Sequence, residues 1–366
     1  MASNESEAGP PIRLALLGAG IFASSRHKSC LLTLQERSVV SITLVWSRSQ
    51  LSAENLASQY GPDVIIAHAA SSNDPDVLLN SARDALRENR SEIDAVIIAL
   101  PIPQLCPYTQ MVVKEGIHVL AEKPLATDVE SAKQLLSEAA MSKAMHAVAE
   151  NYRFERVFRK AHDMLEESCG ELIAVQLTAQ TPIPPGSRYG RGWRLDLSGT
   201  GILGDGMVHH IAGMRVVIGA DINRVCAVCT QKTKAFSGPD TVNGVVQFSN
   251  GLSGSVFATY AGNTFSWELR VVGTTGDIIV QRTFPQPGYK LSAVRKVEGE
   301  NEVFEEQISF SGVEAEFDAF VQSCRDGNLH PSLGGQEAFN EVATVCAFLA
   351  SSESQEWVDV ERWAAE

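Results

Sequence analysis

Residues 12–17 form a short apolar run, IRLALL, that ends in Gly18-Ala19-Gly20-Ile21-Phe22-Ala23. A strand that delivers G-x-G-x-x-A into a helix leaves few folds open. Gly18 supplies the tight turn, Gly20 lets the backbone approach a pyrophosphate, and Ala23 lets the helix pack closely on the strand. A diphosphate then rests on the amide groups of Ile21 and Phe22, where the helix begins. The next apolar segment, 41–46, falls where the second strand of a βαβ unit belongs.

That strand ends in Ser47-Arg48-Ser49, where an acidic residue would accept hydrogen bonds from an adenosine ribose. A guanidinium flanked by two hydroxyls suits a 2′-phosphate instead. NADP(H) is therefore the expected cofactor, with NAD(H) possible. The competing reading is that Arg48 is a solvated loop arginine.

Farther along, the first part of the chain alternates short apolar strands (12–17, 41–46, 63–67, 94–99, 117–121, 145–149) with helical stretches (52–60, 76–89, 104–115, 128–140). Such alternation predicts a doubly wound parallel sheet with helices on both faces. Residues 154–168 then read as one helix. From 171 onward the texture changes to runs of period-two or continuous apolar character: 171–181, 222–233, 241–249, 252–260, 266–273, 276–282, 288–297 and 302–310. Asn250-Gly251 is a strong hairpin signal between two of them. The fold class is thus α/β: an N-terminal Rossmann sheet at 12–150, then an α+β domain at 151–366 with a large, mostly antiparallel open sheet. Helices at 313–326 and 335–351 close the chain.

Three titratable residues stand out against this background. Lys123, in Ala-Glu-Lys-Pro (121–124), supplies an ammonium; His209 supplies an imidazole; Asp205, four residues before it, supplies a carboxylate. Moving a proton on and off a carbonyl or alcohol oxygen needs this set. If 206–218 is helical, Asp205 and His209 share a face, and His210 turns about a hundred degrees away to a structural position.

Taken in order, GAGIFA, AVIIALP (95–101), GIHVLAEKPLA (116–126), AENYRF (149–154) and GILGDGMVHH (201–210) resemble the glucose-fructose oxidoreductase, inositol dehydrogenase and MocA family over nearly the whole chain. GIFA, WSRS, AENYRF and GDGMVHH are similar to poorly characterised plant and fungal members. The resemblance implies that Lys123 acts beside the nicotinamide and that Pro124 follows a cis bond. It also implies His209 as acid or base and Asp205 as its electrostatic partner or a substrate ligand. By the same resemblance Leu100, Pro101, Glu122 and Asn151 join the cofactor pocket, and Tyr152, Arg153, Trp193 and Arg194 meet the substrate. Tyr152 and Arg153 equally well close the domain junction. The terminal helices are expected to pack back on the first domain, and the large sheet to form a homodimer interface.

Composition agrees. At 366 residues, with 44% hydrophobic and 20% charged residues, the chain can bury two cores. A net charge of −14 opposes nucleic acid and anionic membranes. The first eleven residues are polar and acidic, read as a disordered tail without a signal peptide, and no apolar run is long enough to span a membrane; a cytosolic protein is expected. Seven scattered cysteines fit reduced, mostly buried thiols, and Cys226-x-x-Cys229 lies in a strand-like run without partners for a metal. Nothing demands a metal. The sequence thus predicts an NADP-dependent enzyme interconverting a carbonyl and an alcohol in a sugar, polyol or similar molecule. Two other classes stay open: a glycosidase that uses bound cofactor in a redox cycle, and a sensor that binds NADPH without catalysis.

Overall fold

The computed structural model describes residues 9–69, 72–297 and 300–364, so most of the expected N-terminal tail lies outside the described residues. The first sheet has six strands, all parallel: β1 (Ile12–Leu17), β2 (Val40–Ser47), β3 (Ile65–His68), β4 (Ala95–Ile98), β5 (His118–Glu122) and β6 (His146–Ala149). Their order is β3-β2-β1-β4-β5-β6, so the direction of winding reverses beside β1. Strands buried on both faces read as continuous apolar runs, as β4 does with AVII fully buried. Helices α1 (Lys28–Glu36), α2 (Gln50–Ala57), α3 (Pro75–Glu88), α4 (Ile102–Lys114) and α5 (Val129–Ala140) form the crossovers. The turn of residues 23–27 that leads into α1 is wound wider than an α-helix, with the His27 amide donating to the Phe22 carbonyl at 3.3 Å.

Where one helix was expected at 154–168, the chain forms a tight turn at Asn151–Phe154, then α6 (Arg156–Asp163) and α7 (Leu165–Cys169). The break at Met164 lets α7 lie against the second sheet with Leu165, Ser168 and Cys169 buried. Tertiary packing here overrides a continuous helical pattern.

The second sheet contains nine strands. They are β7 (Leu172–Gln180), β8 (Ile222–Thr230), β9 (Thr241–Phe248), β10 (Ser253–Thr259), β11 (Ser266–Gly273), β12 (Gly276–Thr283), β13 (Gly288–Val297), β14 (Glu300–Ser309) and a two-residue edge strand, β15 (Val358–Asp359). The order is β14-β13-β12-β11-β7-β10-β9-β8-β15, antiparallel except that β7 and β10 run parallel. β9 and β10 form the expected hairpin, with Gly251 at φ +87° in the turn. On β8, Val225 and Ala227 face inward, and a spacing of three puts Cys226 and Cys229 on opposite faces, so they make no pair. All seven cysteines are free; two are buried and five half-buried rather than most of them buried.

One face of this sheet is covered by α6, α7, α8 (Gly201–Ile218) and α10 (Gly335–Ser354). The other face is mixed rather than broadly apolar. Across it run Cys226, Val245, Ser255, Gln176, Arg270 and Ile279 in register, and only Val228 and Val245 expose much hydrocarbon among the apolar side chains at its β8–β9 end. Of the two terminal helices, α9 (Gly312–Asp326) brings the chain back to the first sheet. Its Phe317, Phe320 and Val321 pack with Leu14, Leu16 and Leu31. No helix among the described residues is long and apolar enough to cross a membrane.

Candidate active site

The strand-to-helix turn after β1 is closed to a side chain at Gly18 and open at Gly20. At Gly18, with φ +110°, a Cβ would overlap the carbonyl oxygen of Ala99, whereas at Gly20 nothing lies within 4 Å. The Gly18 amide donates to Trp46 at 2.8 Å, but the amides of Gly20, Ile21 and Phe22 meet no backbone acceptor among the described residues. Open amides ahead of a helix fit a diphosphate. A cavity of about 620 Å³ begins at Gly20, Ile21 and Phe22 and runs between the two sheets past Leu100, Pro101, Glu122, Lys123, Asn151, Tyr152, Trp193, Arg194, Asp205 and His209. Gly18, Ser47 and Arg48 stand at the ends of β1 and β2 beside this lining, not in it. Arg48 is exposed; Ser47 is buried, and the Ser49 hydroxyl caps α2 by accepting from the Ser52 amide at 3.3 Å.

β5 delivers Glu122 and then Lys123, whose bond to Pro124 is cis. Across the cleft α8 delivers Asp205. The Lys123 Nζ donates to Asp205 Oδ1 at 2.7 Å and to the Asp205 carbonyl at 2.8 Å, and Arg194 Nε donates to Oδ2 at 2.9 Å. Burial by itself would raise the Asp205 carboxyl, but the Lys123 and Arg194 cations hold it well below the usual range. Burial opposes the Lys123 ammonium too; Asp205 and then Glu122 outweigh it and push it up. Lys123 is thus a charged donor fixed in place. The guanidinium of Arg194 also lies over the Trp193 ring at 4.1 Å, so this arginine is stacked and paired rather than free.

One turn along α8, His209 Nδ1 bonds Glu150 Oε1 at 2.7 Å, and its ring stacks on Tyr152 at 4.9 Å and 24°. Nε2 is the nitrogen left for a ligand. Glu150 is fully buried. Burial would raise its carboxyl, and His209 and Arg153 hold it below its ordinary value. His210 points the other way, into the core, where it accepts from Trp267 Nε1 at 3.1 Å; burial pulls it down to about 3.

Arg153 corrects one expectation. It is 3% exposed and turned from the cleft, with a forked pair to Glu341 at 2.7 and 2.8 Å and a bond to the Ser332 carbonyl at 3.0 Å. Its substrate role gives way to the junction role. Asn151 lines the cleft and donates to Glu155 at 3.4 Å.

Sequence reasoning overlooked Glu150, His27, Tyr260, Arg282 and Glu316. His27 bonds Glu122 at 2.8 Å behind the cleft, and the other four are brought to its wall or just beneath it. A usable signal existed for two of them. Glu150 directly follows β6, at the carboxyl end where parallel sheets bind ligands. Arg282 repeats the period of two set by the buried Ile278 and Val280 of β12, so an arginine stands on an otherwise apolar face.

A wound parallel sheet with open amides at its first turn, facing a second sheet that contributes paired charges to the same cleft, defines a dinucleotide-dependent oxidoreductase. The chain belongs to the GFO/IDH/MocA family: residues 12–152 match the oxidoreductase family with NAD-binding Rossmann fold, and residues 158–279 match the GFO/IDH/MocA C-terminal domain. It is an NAD(P)-dependent oxidoreductase acting on alcohol and carbonyl groups. Among its relatives, Dehydrogenase FPY6 of Fusarium mangiferae is 29% identical over 351 residues, covering 93% of this chain and 96% of that one. The crystal structure of an oxidoreductase from Thermotoga maritima superposes with a TM-score of 0.79 at 26% identity, covering 96% of this chain and 98% of its own. Levoglucosan dehydrogenase in complex with NADH and L-sorbose shares the fold, with a TM-score of 0.80 at 19% identity over 97% of this chain and 100% of its own.

Proposed function

We propose that the chain uses NADP(H) to interconvert a carbonyl and an alcohol in a sugar, polyol or similar small polar molecule. The observation that carries this reading is the meeting of Lys123, Asp205 and His209 in one cavity with the open amides of Gly20, Ile21 and Phe22. When bound, the nicotinamide supplies or removes a hydride at its C4. In reduction, Lys123 donates a hydrogen bond to the substrate oxygen and His209 releases a proton to it from Nε2; in oxidation His209 takes the proton back. Asp205 keeps Lys123 charged and aimed, and Glu150 fixes the His209 ring. Tyr152, Tyr260 and Trp193 wall the reacting centre from water. The first domain, 12–150, holds the cofactor, and 151–366 holds the substrate and self-associates through the open face of the nine-stranded sheet. A mass of two chains by light scattering tests that last point. Seven free thiols suit work in the cytosol.

Purified protein screened with NADPH against ketoses, aldoses, inositols and dicarbonyls is expected to turn over at least one. Lys123→Ala is expected to lose about a hundred- to ten-thousandfold in rate while binding NADPH within a few-fold. More than a tenth of normal turnover in the variant removes Lys123 from the chemistry. Net NADPH consumption separates this reading from a redox-cycling glycosidase, and any turnover separates it from a sensor.

The preference for NADP(H) is supported by Arg48, an exposed cation one residue past β2, with no carboxylate at that strand end. Dissociation constants for NADPH and NADH should differ at least about tenfold, ~1.4 kcal/mol. Arg48→Ala should remove most of the difference. Equal binding by the natural protein overturns it.

A further inference from the structure

On β12, Ile278 and Val280 face the helix-covered side of the sheet, and Arg282 follows them on the same side. Its cross-strand neighbour is Tyr289. The guanidinium carbon lies 5.2 Å from the Tyr289 ring centre, 4.4 Å from that of Phe310 and 5.9 Å from that of Phe265. Nη1 donates to the Tyr152 hydroxyl at 2.8 Å. The Tyr152 ring is the same one that stacks on His209 at 4.9 Å. Arg282 therefore holds the hydroxyl of the phenol whose ring face carries His209, and both stand in the wall of the cavity that holds Lys123.

Unlike Lys123 and Arg194 in the same cavity, Arg282 has no counter-ion among the described residues. Lys123 and Arg194 share Asp205, and the buried Arg153 and Arg215 outside the cleft pair with Glu341, Asp221 and Glu337. No carboxylate comes within 4.0 Å of the Arg282 nitrogens among the described residues. The carboxylate of Glu155, which acts on it at longer range, is occupied by the Ser311 amide at 3.0 Å and Asn151 at 3.4 Å. A guanidinium has five N–H donors in a planar fork, and among the described residues only Nη1 of Arg282 has an acceptor. Aromatic faces stabilise the cation but accept none of the remaining N–H groups as a lone pair would. A half-buried, aromatic-walled cation with open donors at a cavity wall is matched by a carboxylate, which takes two parallel bonds.

We infer that Arg282 is a receptor for a carboxylate on the substrate, which makes the substrate a small polyhydroxylated acid whose carboxylate is held beside Tyr152, in the same cavity as the carbon that exchanges hydride. This rests on reading the cleft as a carbonyl–alcohol redox site. A neutral polyol offers the fork only weak single acceptors, and loses to the matched acid.

The test is binding, measured by titration calorimetry on the intact NADPH-loaded protein, of two matched pairs: D-gluconate against sorbitol and D-glucuronate against D-glucose. The acid of at least one pair is expected to bind about tenfold or more tightly than its neutral partner. Arg282→Gln should abolish that gap while leaving the neutral compound within about threefold, and Arg282→Lys, which keeps the charge without the fork, should restore part of it. Thermal melts of both variants report folding, and the lysine variant carries the test if the glutamine variant melts early. Equal binding within both pairs, or a gap that survives Arg282→Gln, overturns the inference. Turnover of neutral sugars alone with NADPH would sink Arg282 as a carboxylate receptor and leave the redox reading standing. Arg282-dependent acid binding without any turnover would do the reverse.

Discussion

His209 and His210 are neighbours in sequence and opposites in surroundings. His209 lines the cleft with Nδ1 on Glu150, and His210 is 5% exposed behind it on Trp267. His209→Asn is expected to lower kcat/KM about a hundredfold and flatten one limb of the pH–rate profile. His210→Asn should leave kcat/KM within about threefold and lower the melting temperature, since it strips packing from a filled core and misplaces the acceptor of the Trp267 N–H. Steady-state kinetics and melts on both variants decide the matter, and the reverse pattern would overturn the roles given to the two rings. Spacing alone was enough to separate them, because adjacent residues on a helix diverge by about a hundred degrees. The partner of His209 was not legible in the same way. Glu150 is fifty-nine residues away in the chain, and the packing of α8 against the turn that follows β6 brings the two together.

At the level of elements, α8 carries the site because it lies unusually close to its surroundings. Gly204, Gly206 and Gly213 sit within its eighteen residues, although each glycine costs a helix interior about 1 kcal/mol relative to alanine. At Gly206 a Cβ would overlap the Tyr260 hydroxyl, and at Gly213 it would come to 3.1 Å from the Phe158 ring. Close approach is what the glycines provide. Gly206→Ala should therefore push α8 outward, cost about 1–3 kcal/mol by overpacking, and reduce kcat with it, since Asp205 and His209 ride on the same helix. Gly238→Ala, where nothing lies within 4 Å, is the control and should change neither quantity. A Gly206→Ala protein with unchanged melt and rate would show that α8 is not pinned there. Strands and helices of the first sheet were readable because burial on both faces leaves continuous apolar runs between turn residues. The parallel pairing of β7 with β10 was not, since it joins segments separated by α8, β8 and β9 and depends on no local pattern. The break at Met164 and the two-residue β15 fall below what periodicity resolves for the same reason.

Over the whole molecule, the excess of acidic residues behind the net charge of −14 reaches the interior, where α9 returns to the first sheet. Glu150, Glu155 and Glu316 are all buried there, and Glu122 lies beside them. For Glu316, burial first and then the charges of Glu122 and Glu150 push the carboxyl well above 4.5. A carboxyl that binds its proton more tightly when folded contributes stability that is fully present below 4.5 and is lost as pH rises toward the raised folded value. His146 acts in the opposite direction. Burial pulls it down to about 4 from 6.5, so its contribution is present above 6.5 and is lost as pH falls through that interval. Glu316 thus weakens the fold as pH rises, and His146 weakens it as pH falls. Glu316→Gln keeps the shape of the protonated carboxyl and removes the titration. Its melting temperature should match that of the natural protein near pH 4.5 and exceed it by a margin that widens as the pH rises from there. Calorimetric melts across that range check it, and a margin that stays constant with pH would mean that Glu316 is already ionised in the folded chain.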